Sequence, residues 1–79
     1  MKIRALLKTP LYRRRASGDD SPYLEGTVTE VHGKAEVRDG GLDIKVSGMF
    51  GEKGQAVEST IKRIFLPLAK IDYYIVEDK

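Results

Sequence analysis

Cysteine and tryptophan are both absent from this 79-residue sequence, and histidine occurs once, as His32. A chain without cysteine can form neither a disulfide bond nor a cysteine-ligated zinc site, and a single histidine cannot build a multi-histidine metal centre. No apolar run approaches the roughly 20 residues that cross a bilayer, and the apolar stretch near the start is too short for a secretory signal. We therefore expect a cytoplasmic protein that uses no metal or cofactor and does not contact a membrane.

Acidic residues are missing from the first fifteen positions, which carry six basic side chains instead. The remaining residues include eight basic and twelve acidic side chains, so a basic leader precedes a body of net negative charge. The overall charge of +2 hides this asymmetry. Such a distribution indicates either a polyanionic partner or an exposed arm.

The length predicts one small domain, residues 1–79. At this size folding buries only about 60–65 % of the unfolded chain's surface, so the stability margin of a monomer is thin. Because disulfides and metals are excluded, tight β-closure and self-association are the remaining ways to strengthen the core. Residues 13–22 combine arginines with Ser, Gly, Asp and Pro, a composition typical of a flexible loop.

The clearest local signal is a β-hairpin around Asp39–Gly40. Apolar and polar residues alternate on both sides of this two-residue turn. The register that the turn implies sets Val37 opposite Leu42, and Ala35 opposite Ile44. These apolar pairs share one side of the hairpin, so the sequence predicts a single buried face.

The other face of the same hairpin pairs like charges. Glu36 falls opposite Asp43, and Lys34 falls opposite Lys45. Directly opposed like charges destabilise a sheet, but the diagonal pairs Glu36–Lys45 and Lys34–Asp43 can offset the repulsion.

Other segments also have strand character. Residues 23–31, 60–66 and 71–76 are rich in β-branched and aromatic side chains, and the first of these loses its alternation before Val31, which indicates a bulge. Residues 2–8 fit either a strand or one and a half turns of helix, and we favour the strand. Five or six short antiparallel strands predict an all-β fold, most naturally a small barrel.

A basic run next to an aromatic residue is the best candidate for a binding site. Arginines there can bind phosphates and a tyrosine can stack on a base. The alternative is a solvated loop whose arginines pair with Asp19, Asp20 or the acidic body. The predicted nucleic-acid contacts are Lys8, Tyr12, Arg13, Arg14 and Arg15.

Motifs that would indicate other chemistry lack the required context. Gly48, Gly51 and Gly54 have a regular spacing, but phosphate-binding glycine loops open a helix and KH loops join two helices. Here a short segment leads into a strand, so we expect an ordinary turn. His32 has no marked nucleophile near it and is expected in a turn. The sequence predicts no enzymatic activity.

The C-terminal part resembles the closing strands of Sm-like proteins, the SH3-like small barrels that include Hfq. The pattern runs Ile64-Phe65-Leu66-Pro67-Leu68-Ala69-Lys70-Ile71-Asp72-Tyr73, a hydrophobic strand, a short turn and a strand. The segment Leu24–Val28 and the Asp39–Gly40 hairpin also suit this family, so the resemblance covers about residues 23–76. It implies an SH3-like barrel that adds edge strand to edge strand into a ring. The family's RNA-contacting residues do not carry over, because the Asp39-Gly40-Gly41 loop lacks the family's Asn.

Both faces of the segment 71–76 carry apolar or aromatic side chains, as expected for a strand that meets another subunit. The predicted oligomer interface residues are Ile71, Tyr74 and Val76. Taken together, the sequence predicts a self-associating β-barrel that binds RNA or single-stranded nucleic acid without catalysis. Two alternatives remain open: a protein-interaction or structural module without nucleic-acid binding, and an accessory domain that holds a small ligand inside an oligomer.

Overall fold

The computed structural model of the protein describes residues 1–11, 24 and 26–77. The strands, numbered in chain order, are β1 (Lys2–Leu11), β2 (Val28–Arg38), β3 (Gly41–Phe50), β4 (Arg63–Pro67) and β5 (Ile71–Val76), with a 3₁₀ helix at Leu68–Lys70. They pair antiparallel in one sheet of order β4-β3-β2-β1-β5. The prediction of an all-β fold with five antiparallel strands is confirmed. No helix in these ranges has the length and apolar character needed to cross a membrane.

Strand boundaries follow the predictions at some points and depart from them at others. The segment 71–76 is β5 as predicted, and the first predicted segment is a strand that extends to Leu11. The strand expected at residues 60–66 begins later, at Arg63. The strand expected at 23–31 is only half correct, because β2 begins at Val28 and continues without interruption into the hairpin.

The β2–β3 hairpin has the predicted register. Val37 pairs with Leu42 and Ala35 with Ile44, while the charged pairs lie on the opposite face. Gly40 adopts a φ of +77°, the left-handed region that a residue without a Cβ enters without strain. The turn that joins the two strands therefore depends on this glycine.

The expectation that Val37 is buried with its partners is wrong, since its side chain is 68 % exposed. The reason lies in the neighbouring strand. β1 begins at Lys2, which pairs with Lys34, so the tip of the hairpin extends past the end of β1. Val37 faces the core side of the sheet at a position where no residue of β1 covers it.

One apolar core is shared by all five strands. In the described part of the chain no second layer packs on the sheet, so the sheet must curve around its own inner face to enclose that core. The buried residues are Ile3, Ala5, Leu24, Val28, Val31, Ala35, Leu42, Ile44, Met49, Leu66 and Ile71.

A β-bulge in β3 brings two backbones very close together. His32 pairs with Gly48 and Gly33 pairs with Val46, so Ser47 is the extra residue. A Cβ atom on Gly33 would lie 2.1 Å from the carbonyl oxygen of Lys45, which leaves no room for a side chain. Gly33 therefore serves a close approach between strands rather than a turn.

The connection from β4 to β5 is short and anchored to the hairpin. β4 ends at Pro67, as expected for a residue that cannot donate a ladder hydrogen bond, and β4 lies at an edge of the sheet. The backbone N–H of Leu68 donates to the carbonyl oxygen of Gly40 at 2.8 Å. In the strand order β4 and β5 lie at opposite edges of the sheet, and the 3₁₀ helix joins them in sequence.

Candidate nucleic-acid interface

The basic residues predicted to contact nucleic acid lie late in β1 and beyond it. Lys8 is exposed in the second half of β1. Tyr12, Arg13, Arg14 and Arg15 fall outside the described residues. Their proposed role stays a prediction from sequence.

A different group of cations comes together on the outer face, the side of the sheet that points away from the core. Cross-strand partners share a face. Lys34 pairs with Lys2 on one side and with Lys45 on the other, and Lys45 in turn pairs with Arg63. One exposed cation from each of four adjacent strands therefore lies in a single line across β1 to β4. We call this line the cation row: Lys2, Lys34, Lys45 and Arg63.

Strand alternation explains why every member of the cation row points outward. In each strand the residue next to the cation is apolar and packs in or against the core; these neighbours are Ile3, Ala35, Ile44 and Ile64. The sequence predicted only the Lys34–Lys45 pair, because a tight turn fixes that register locally. The other pairings join segments distant in sequence, so alternation within each strand was the only available signal.

Acidic residues occupy the adjoining position on the outer face, and arginines bind them. Asp43 accepts two hydrogen bonds from Arg63, from Nε at 2.8 Å and from Nη2 at 2.5 Å. Arg38 donates from Nε to the same carboxylate at 2.9 Å and from Nη2 to Glu36 at 3.2 Å. Two acids and two arginines thus form one network, which includes Arg63 at the β4 end of the cation row.

This network changes the acidity of its members. The hydrogen bond from Arg63 and the charges of Arg63 and Arg38 lower the pKa of Asp43 to about 2, although partial desolvation acts in the opposite direction. The same hydrogen bond and the charge of Asp43 raise the pKa of Arg63. Asp43 is therefore ionised at any physiological pH, and the bidentate pair is retained.

The diagonal pairs Glu36–Lys45 and Lys34–Asp43 expected from the sequence do not form. The arginines engage both acids instead, because a planar guanidinium can bind a carboxylate with two parallel hydrogen bonds and an ammonium cannot. Among residues 1–11, 24 and 26–77, no acidic side chain forms an ion pair with Lys34 or Lys45. The centre of the cation row is left as two opposed, exposed ammonium groups.

His32 lies on the other side of the cation row, in the middle of β2, so its expected position in a turn is wrong. Its Nε2 contacts the Oε2 atom of Glu30, and its side chain is 25 % exposed. The glycine that follows His32, Gly33, permits close packing of the strands and does not form a turn. Within the described ranges, no three His, Asp or Glu side chains are grouped as a metal site requires.

An aromatic contact accompanies this histidine. The ring centroids of His32 and Phe50 are 4.3 Å apart, with the planes inclined by 38°. Gly48, the cross-strand partner of His32, leaves the space that the phenyl ring uses: a Cβ there would lie 3.1 Å from Cε1 of Phe50. Phe50 was not predicted as a site residue. The β3 bulge determines which face of the sheet its side chain lies on, and no residue pattern in the sequence marks that bulge.

The three residues predicted to form an oligomer interface have different environments. Ile71 is 5 % exposed and belongs to the core of its own chain, and Tyr74 packs against that core. Val76 is 50 % exposed. The simple alternation assumed for β5 fails because Leu6 pairs with Tyr73 but Leu7 pairs with Ile71, which makes Asp72 an extra residue.

That bulge changes which aromatic residue of β5 reaches solvent. Tyr73 and Ile75 lie on the outer face and are 53 % and 39 % exposed, respectively. The accessible apolar surface of the β5 edge is therefore built mainly by Tyr73, Ile75 and Val76. Ile71 does not contribute to it.

The turn at residues 51–54 is ordinary, as predicted. The N–H of Gly54 donates to the carbonyl oxygen of Gly51 at 2.9 Å, and Gln55 closes the loop through its backbone and side chain. The next element of regular structure after it is the strand β4. This loop therefore lacks the helix N-terminus of a phosphate-binding loop.

Comparison of the chain with protein-family models finds no match. Comparison with curated proteins and with solved structures gives no significant match either.

Proposed function

We propose that this protein binds RNA or another single-stranded nucleic acid without catalysing a reaction, and that the cation row is its central contact. The supporting observation is the alignment of four cations, one from each of four neighbouring strands, on one exposed face. Strands lie about 4.8 Å apart, so the row spans about 14 Å. A line of this length suits a chain of phosphates better than one small anion.

The electrostatics of the row favour a bound polyanion. Like charges placed directly opposite each other destabilise a sheet. Lys34 and Lys45 are in this position, and the neighbouring acids are engaged by Arg38 and Arg63. A phosphate backbone laid along the row would remove this repulsion, and the counterions it releases would favour binding further.

The basic segment that follows β1 is a second proposed contact. The predicted contacts there are Lys8, late in β1, and Tyr12, Arg13, Arg14 and Arg15, which follow β1 in sequence and lie outside the described residues. Phosphate contacts made by both sets of residues would strengthen binding through effective concentration.

The Sm-like resemblance adds an assembly to this proposal. The sheet has edge strands at β4 and β5, and a three-residue 3₁₀ helix joins them, which is compatible with the short turn of that family. Phe65 on β4 and Val76 on β5 are exposed apolar side chains. We propose that copies of the chain add edge to edge into a homo-oligomeric ring, which would repeat the cation row around the assembly.

A salt titration with matched variants tests the nucleic-acid function. Binding of a fluorescent single-stranded RNA pool is measured at several salt concentrations for the parent protein and for Lys34→Ala/Lys45→Ala. The control is Lys53→Ala/Lys70→Ala, which removes the same charge from exposed positions in a loop and in the 3₁₀ helix. Each phosphate contact contributes about 0.7 to the slope of log K against log salt for single strands.

We expect the row variant to bind more weakly and to lose about 1.4 from the slope, corresponding to two contacts. The control should keep the parent's slope. Absence of binding by the parent, or equal slopes in both double variants, would contradict the proposal.

A second function, an oligomerisation or protein-interaction module without nucleic-acid binding, is favoured by one observation. Tyr73, Ile75 and Val76 expose apolar surface on the edge strand β5. Exposed edge strands of this kind are sites of strand addition. Light scattering tests it: a stable oligomer that Val76→Lys dissociates, in a protein that binds no RNA, would support this second function over the first.

A further inference from the structure

We infer that His32 and Phe50 form a base-stacking subsite beside the cation row, which makes the ligand a strand with unpaired bases. The inference rests on the proposed function, because it assumes that the phosphates lie on the row. It adds what the row alone cannot provide, namely selection for exposed bases over a bare polyanion or a closed duplex.

The two sides of the cation row differ in charge and in chemistry. On one side the outer face presents Glu36 and Asp43, each bound by an arginine, and the exposed ring of Phe65 opposite Asp43. On the other side it presents His32, with Phe50 packed against it. Two rings in contact lie on the second side and a single ring lies on the first, so we place the bases of a strand whose phosphates lie on the row over the His32–Phe50 pair.

The rings are held in position before any ligand binds. Glu30 contacts the imidazole of His32, and the phenyl ring of Phe50 lies over Gly48, where a Cβ would come within 3.1 Å of the ring. Both residues are only partly buried, so part of the ring surface reaches solvent. Aromatic surfaces of this kind bind bases of any identity, since every base has a π-face.

The distance from row to rings suits a nucleotide. His32 and Lys34 are two residues apart on the same face of β2, about 6.6 Å along the strand. A phosphate at Lys34 and a base at His32 are thus separated by little more than a sugar. Arg4, the β1 partner of His32, contributes a further planar cation next to the rings, although its Nε lies 3.3 Å from Oε2 of Glu77.

The test compares ligands of equal length: a single-stranded oligouridine, the corresponding abasic sugar-phosphate strand, and a duplex. Parent, Phe50→Leu and the control Tyr73→Leu are titrated with each. Tyr73 is an exposed aromatic residue of the same face, three strands away; because it also belongs to the apolar β5 edge, light scattering of Tyr73→Leu accompanies the titration. We expect the parent to prefer oligouridine to the abasic strand by about fivefold or more, the effect of one stacked base.

Phe50→Leu should lose this preference while its affinity for the abasic strand stays unchanged, and Tyr73→Leu should keep the preference. A second variant, Phe50→Trp, provides a readout that does not depend on losing function. Because the chain has no other tryptophan, emission comes from this site alone. Oligouridine should quench it, whereas the abasic strand should not.

The outcomes separate this inference from the function on which it rests. If the parent binds oligouridine and the abasic strand equally, or the duplex as tightly as the single strand, the stacking subsite is disproved and the cation row survives. If the parent binds none of the three, the proposed function itself fails. If Phe50→Leu keeps the full preference and Phe50→Trp is not quenched, bases stack elsewhere and the inference is wrong.

Discussion

The two faces of this sheet are built from the same strands, and they are specified in different ways. The inner face is apolar and closes on itself, with Ile3, Leu42 and Ile44 fully buried. The outer face carries the cation row, with Glu36 and Asp43 on one side of it and the contacting rings of His32 and Phe50 on the other. Packing determines the first face, whereas the second has an arrangement of charge that stability alone does not favour.

That difference teaches where function is to be sought. A core tolerates any apolar set of the right volume and pattern, so its composition carries little information about a partner. Directly opposed lysines destabilise a sheet, and for this reason the proposed function places a partner's phosphates on Lys34 and Lys45. The paired arginines support this view, because they stabilise the acids and leave Lys34 and Lys45 unneutralised.

The largest expected effect comes from truncating the same residue type on each face. Ile44→Ala removes a fully buried side chain from the core and should lower the free energy of unfolding by about 3–4 kcal/mol. Ile75→Ala, on the outer face of β5, should change it by less than about 1 kcal/mol. Urea denaturation of both variants measures the difference. Similar losses would mean that the outer face is covered, as in a stable oligomer.

A smaller loss of stability is expected at Gly33, where the backbones of β2 and β3 come closest. Gly33→Ala places a Cβ 2.1 Å from the carbonyl oxygen of Lys45, so β2 or β3 must shift, at about 2 kcal/mol. The matched variant is Gly26→Ala, because nothing lies within 4 Å of the Cβ position there. Thermal or urea unfolding should find Gly26→Ala as stable as the parent or slightly more so. If both variants are equally stable, the bulged register of β3 is incorrect.

Reversing one charge of the cation row should stabilise the fold and weaken RNA binding. Substitutions in the core, in contrast, should only destabilise the fold. Lys45→Glu places an acid between Lys34 and Arg63, which converts two repulsive neighbours into attractive ones. We expect a gain of about 0.5 kcal/mol together with reduced RNA affinity. Lys53→Glu is the control for net charge. A Lys45→Glu protein less stable than this control would show that the cation row is not repulsive.

The smallest effect concerns Asp43 and appears only at low pH. Because the pKa of Asp43 is lowered from 3.8 to about 2, its ionised form is favoured by the folded state. Its contribution is therefore complete above about pH 3.8 and is lost as the pH falls toward 2. The stability difference between the parent and Asp43→Asn should shrink across this range in denaturation experiments at successive pH values. A difference that stays constant would rule out the network with Arg63.

Sequence patterns predicted those parts of the fold that depend on neighbouring residues. The hairpin register follows from alternation and a two-residue turn, so Val37, Leu42 and Ile44 were paired correctly. The limits of β5 were also predicted, because Pro67 marks the end of the preceding strand. The bulge at Asp72 was not predicted, since it depends on how β5 meets β1.

The amino-acid sequence by itself determined an all-β chain, its central hairpin and the opposed pair Lys34–Lys45, because local turn chemistry and strand alternation act over a few residues. Only the tertiary structure extended that pair to Lys2 and Arg63, since pairing between strands distant in sequence sets which side chains become neighbours. The same pairing brings Asp43 within hydrogen-bonding distance of Arg63 and leaves Val37 exposed beyond the end of β1. Register between distant strands is a property of the whole sheet, and the candidate site is formed by that register.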